Sequence, residues 1–148
     1  PSWSTQFRIS LMDSEVEPLF DNNATGSITI DGRNYDPVDR ATTRLMPPQF
    51  HFVTRFAPPQ SSWWGDFSIL AVGRADELSL KDETDSSRIP SNGTPGYALF
   101  GISGGRKWGE DSSVFFAVEN LSDVDYRVHG SGLNGGGRNF IFSFSRSF

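Results

Sequence analysis

Asn139-Phe140-Ile141-Phe142-Ser143-Phe144-Ser145-Arg146-Ser147-Phe148 closes the chain with Phe140, Phe142, Phe144 and Phe148 on one parity and Asn139, Ser143, Ser145 and Ser147 on the other. A period of two is how a β-strand sends side chains to opposite faces, so this stretch reads as a strand with one apolar face. The same alternation appears far upstream, where Trp3, Phe7, Ile9 and Leu11 interleave with Ser4, Gln6, Arg8 and Ser10. Phe50, Phe52 and Phe56 interleave with His51 and Arg55 in the same manner. Residues 63–75, 96–105 and 113–120 are strand-like as well, though Leu70, Val72 and Leu99 blur their parity. The expected fold class is all-β, an antiparallel up-and-down meander of about six strands.

The connections between these strands alternate in length. Residues 12–48, 76–95 and 121–137 are long and polar, whereas 58–62 and 106–112 are short. Outer-membrane barrels have long extracellular loops and short periplasmic turns, so the pattern suits part of a transmembrane β-barrel with Phe148 at the periplasmic rim. A soluble β-sandwich remains an alternative, with its apolar faces packed together and its polar faces in water. Trp63, Trp64 and Trp108 lie beside the short turns and Trp3 begins the first strand, where a barrel carries its periplasmic aromatic girdle.

Composition agrees with this class and excludes others. Only 36% of the residues are apolar, yet 14% are aromatic, with 13 Phe. The longest apolar run, Val114 to Val118, has five residues, while a membrane-crossing helix needs about 18 to 20. A barrel strand crosses with about 9 to 11 residues, half of them polar, so a mean hydropathy of -0.40 does not exclude a membrane protein. The absence of Cys removes disulfides and thiolate metal sites. A net charge of -5 argues against nucleic acid as a partner, because a backbone-binding protein replaces counterions with clustered Lys and Arg. The opening Pro1-Ser2-Trp3 has no initiator Met, basic segment or apolar segment behind it, so the chain reads as a C-terminal piece of a longer protein.

Particular residues carry a resemblance to a known family. The string Asn120 to Gly132, NLSDVDYRVHGSG, resembles the end of the penultimate strand in TonB-dependent outer-membrane receptors, with Asn120, Leu121, Asp123 and Tyr126 on the family's pattern. Gly137-Arg138 resembles the start of the family's final strand. Arg88-Ile89-Pro90 and Gly93-Thr94-Pro95-Gly96-Tyr97 resemble the preceding loop, and Pro47-Pro48 also fits. The likeness runs from about residue 45 to 148 and is dense after 88. It implies a barrel of about 22 strands closed by an N-terminal plug, with plug and N-terminal strands lying outside this chain. It also implies uptake of a scarce nutrient such as an iron-siderophore complex, coupled to TonB through the missing N-terminal part, and no enzymatic activity or cofactor. Other barrels, a porin or an adhesin, are the nearest rivals. Phe140, Phe142, Phe144 and Phe148 resemble the signal read by the barrel-assembly machinery. Arg146 departs from it, at a site near enough to the interface to snorkel into the headgroups of outer-membrane lipid.

The remaining motifs fail on context. Gly101-Ile102-Ser103-Gly104-Gly105 has the G-x-S-x-G form, but no helical period follows it. Gly130-Ser131-Gly132-Leu133-Asn134-Gly135 has the G-x-G-x-x-G form, but a strand follows where a dinucleotide site needs a helix. His51 and His129 lack partners at zinc-ligand spacing. The acidic stretches Asp31 to Asp39 and Asp82 to Asp85 lack the EF-hand arrangement and read as solvated loops. Sequons at Asn23, Asn92 and Asn120 have no role in a bacterial protein. Tyr126, Arg127 and His129, in the last long loop, are the expected ligand-binding residues, against the plainer reading of solvated loop.

Overall fold

The computed structural model describes residues 2–16, 28–30, 33–35 and 40–147. Six strands form one sheet: β1 (Trp3–Ser10), β6 (Gln49–Phe56), β7 (Trp63–Val72), β8 (Tyr97–Trp108), β9 (Ser112–Glu119) and β10 (Asn139–Arg146). Two short ribbons lie within the first long connection. One pairs β2 (Glu15–Val16) with β5 (Arg40–Ala41), the other β3 (Ile28–Ile30) with β4 (Arg33–Tyr35). That connection was expected to be polar loop throughout. The difference has a local cause, since Ile28-Thr29-Ile30 favours strand and Asp31-Gly32 is a two-residue hairpin sequence.

Each of the six strands pairs antiparallel with its neighbour in the order β1-β6-β7-β8-β9-β10, which is the expected meander. Connections of 11–48, 57–62, 73–96, 109–111 and 120–138 keep the alternation of long and short. The largest boundary shifts are at the ends of β7 and β8. β7 ends at Val72, where Gly73 donates to the Pro48 carbonyl at 2.8 Å. β8 runs on to Trp108, which reduces the second short connection to a tight turn with Gly109 at φ 61°. Among the described residues the one helix, α1 (Leu80–Thr84), has five residues.

The register sorts the sheet into two faces. Cross-strand partners share a face, so Thr5–Thr54–Phe67–Ile102–Val118–Phe140 form one row through all six strands. Trp3–Phe56–Gly65–Gly104–Phe116–Phe142 form the next. The opposite face carries Ser4–Arg55–Asp66–Ser103–Ala117–Ile141. The apolar face is uncovered: Phe7 is 71% and Phe142 is 70% exposed. Among the described residues no second sheet of comparable size lies beside it, where a sandwich would place one. Buried apolar residues are few and include Val72, Ala75 and Ile89, gathered where the second long connection folds back.

Candidate functional site

The polar face is organised by charge. Arg55 forms a bidentate pair with Asp66 at 2.7 and 2.8 Å, the fork geometry that suits a guanidinium and a carboxylate on directly paired strand positions. Its guanidinium also stacks 4.2 Å from the Trp64 ring centre. The indole in turn lies over Gly105, where an added Cβ would come within 3.0 Å of ring atoms. This corrects one expectation. Trp3, Trp63 and Trp108 belong to the apolar face near the short turns, but Trp64 has the opposite parity and is a polar-face residue, not part of a girdle.

Toward the long connections the polar face opens into a cleft of about 620 Å³ whose lining includes His51, Ser68, Glu119, Tyr126, Arg138 and Asn139. Asn139 donates to Glu119 at 3.1 Å, presetting the carboxylate. The wall of this cleft is stapled by the residues on the NLSDVDY string. Asn120, with φ 48°, donates to the carbonyls of Val124 at 2.9 Å and Gly136 at 3.1 Å and accepts from the Val124 N–H at 2.9 Å. Asp123 accepts the Arg138 N–H at 2.8 Å, and the Arg138 guanidinium donates to the Leu121 carbonyl at 2.9 Å. Those residues therefore shape the loop by satisfying its backbone groups.

The three expected ligand-binding residues do not form one cluster. Tyr126 lines the large cleft and a smaller one of about 270 Å³ that also includes Arg127, Asp125 and Pro90. Its ring meets Tyr97 at 4.7 Å between centres and covers Gly135, where a Cβ would come within 2.1 Å of the phenol. Arg127 is engaged by Asn134 at 3.0 Å. His129 lines neither of these clefts; it is buried, and its Nδ1 lies 2.9 Å from the Thr94 hydroxyl.

His129 belongs instead to a polar knot that the sequence reading missed. Ser79 caps α1: its hydroxyl accepts the Asp82 N–H at 3.1 Å and donates to the Asp82 carboxylate at 2.8 Å. Asp82 also accepts the Arg44 N–H at 2.9 Å, and the Arg44 side chain reaches both Asp82 and Asp85. The Ser87 hydroxyl and Arg44 hold the Asp85 carboxyl below its ordinary pKa. Arg44 further packs on Gly130, whose Cβ would fall 2.7 Å from its Cδ. Asp82 was read as solvated loop; it is 1% exposed. Only the spacing of Ser79 and Asp82, a capping pattern, pointed to this order. The stretch Asp31 to Asp39 lies outside the described residues except for 33–35. Among the described residues no group of three or more His, Cys, Asp or Glu is placed to hold a metal ion. Phe140, Phe142 and Phe144 all lie on the exposed apolar face, and Phe148 lies outside the described residues.

Neither a family profile nor a curated protein matches the chain. A solved structure does. The copper transporter OprC is similar with a TM-score of 0.62 at 18% identity, over 74% of this chain and 19% of that one. The likeness is one of fold: a meander of this shape forms part of a larger transport protein, and this chain spans about a fifth of its length.

Proposed function

We propose that this chain is part of the wall of a bacterial outer-membrane barrel of the TonB-dependent receptor kind, which binds a scarce nutrient among its long loops and imports it. The observation that carries the reading is the uncovered apolar face running through all six strands with a charged, hydrogen-bonded face behind it. In water, monomers rarely expose a contiguous apolar patch of more than a few hundred Å². Against lipid such a face is the outer surface of a barrel, and strands of 8 to 12 residues bracket the about 9 to 11 that a crossing strand uses. Trp3, Trp63 and Trp108 then sit at the periplasmic interface, and the large cleft opens toward the extracellular loops.

The fold likeness to a copper transporter favours a metal ion or metal complex, an iron-siderophore included, and Tyr126 and Arg127 with the His51–Glu119 cleft are the groups this chain offers it. The wall binds and shapes a passage and performs no covalent chemistry. TonB acts through a part of the protein outside this chain, and the barrel-assembly machinery inserts it. Deleting the gene and measuring growth under iron or copper starvation, with and without functional TonB, tests the proposal. A TonB-dependent defect restored by the full-length gene supports it. Uptake that ignores TonB points to a porin, and absence of the protein from the outer-membrane fraction overturns the reading.

A further inference from the structure

We propose that Arg44, Asp82, Thr94 and His129 form an acid-released latch that holds the three long connections together as one unit. The inference stands on the geometry of the connections and does not depend on what the protein transports. Each connection supplies a part: Arg44 comes from 11–48, Asp82 and Thr94 from 73–96, and His129 with Gly130 from 120–138. Thr94 is itself fixed by a two-way backbone bridge with Ala75, at 2.9 and 3.0 Å, so the imidazole is tied to a rigid point. Asp82, Thr94 and His129 are each more than nine-tenths buried. In the closed latch the His129 Nε2 has no hydrogen-bond partner among the described residues.

A neutral imidazole tolerates that position; a charged one does not. Protonation would bury a second cation beside Arg44 and put an N–H on both ring nitrogens, of which the one at Nε2 has no acceptor among the described residues. The charged groups around the ring are Asp82 from α1, Arg44 from the first connection, and Asp85 through its pair with Arg44. Arg88 packs against Gly132, three residues beyond His129. Asp82 would favour a protonated ring; its Oδ2 takes the Ser79 hydroxyl and the Arg44 N–H, while its buried Oδ1 lies 3.4 Å from the Arg44 guanidinium and has no hydrogen-bond partner among the described residues. Burial pushes the His129 pKa below its ordinary value of 6.5, Asp82 opposes that shift, and Arg44 adds to it. The sign follows. The closed form resists a proton that the open form accepts, so the latch is fully closed above the ordinary value and loosens as pH falls below it. One proton sets the limit, about a tenfold rise in the open-to-closed ratio per pH unit.

The test is hydrogen exchange on the full-length protein at about pH 7.5 and about pH 5.5, either side of the ordinary imidazole value, corrected for intrinsic rates. The amide of Arg44 and those of 76–95 and 121–137 should lose protection together at the lower pH. His129→Asn, which keeps a polar atom near the Nδ1 position, should abolish that dependence. Exchange at the imidazole carbon between the ring nitrogens, read in the wild-type protein, reports the titration of His129 directly even where the variant fails to assemble. A midpoint below that of the denatured protein supports the latch. A midpoint at or above it, loops that tighten in acid, or a pH dependence that survives His129→Asn would overturn the proposal.

Discussion

Replacing Phe142 by Arg asks what solvent the apolar face meets, because the two candidate solvents give effects of different size. Phe142 is in mid-strand on β10, opposite Phe116, and 70% of it is exposed. If that exposure is to lipid, an Arg there costs about 2 to 4 kcal/mol at mid-bilayer, against about 0 to 1 kcal/mol near the interface. At about 1.4 kcal/mol per tenfold, the folded-to-unfolded ratio falls by about 30-fold to about 700-fold. If the exposure is to water, the same change lies within about 0.5 kcal/mol of neutral, as exposed surface substitutions do. Ser143→Arg is the control, one residue away on the polar parity, where a charge should be tolerated. The assay is denaturant unfolding of the full-length protein in phospholipid vesicles, with each variant compared at its midpoint and slope. Equal effects of the two substitutions, or no loss for Phe142→Arg, would refute the lipid-facing assignment.

Two further outcomes are specific. Gly135→Ala should displace the Tyr126 ring, whose Cζ lies 2.1 Å from the added Cβ, at a cost of about 1 to 3 kcal/mol. In a Tyr126→Ala background the same change should cost much less, and a double-mutant cycle by limited proteolysis of 121–137 measures the difference. Deleting Phe148 from the full-length gene should lower outer-membrane abundance while leaving the unfolding midpoint of the assembled protein unchanged, as a recognition role requires. Normal abundance would rule that role out.

The sheet was legible because its signal is local. Phe140, Phe142 and Phe144 against Ser143 and Ser145 declare both the strand and its one-sided environment, and Trp3, Phe7 and Ile9 repeat the parity at the other edge. Blurring at Leu70 and Leu99 has a physical origin: they are paired on the polar face beside His51, where the lining is mixed. Trp64 was misplaced because closeness to a turn says nothing about parity. The knot was illegible for a different reason. Arg44, Asp82 and His129 are polar residues, and Asp82 and His129 become buried, with Arg44 half-buried against them, only because distant connections meet. Arg44 also adopts φ 63°, a left-handed conformation that a sequence does not announce for Arg.

A sheet in which each strand pairs only with the next also has a built-in order of growth. Bringing β8 and β9 together closes residues 109–111, whereas bringing β1 onto β6 closes residues 11–48. The logarithmic dependence of closure entropy on length makes the second event about 2 kcal/mol more costly. Zippering should therefore start at β8–β9 and reach β1 last, leaving the free edge of β6 as the longest-lived unpaired backbone during insertion. Pulse-labelled exchange that protects β1 amides before those of β9 would reverse this order.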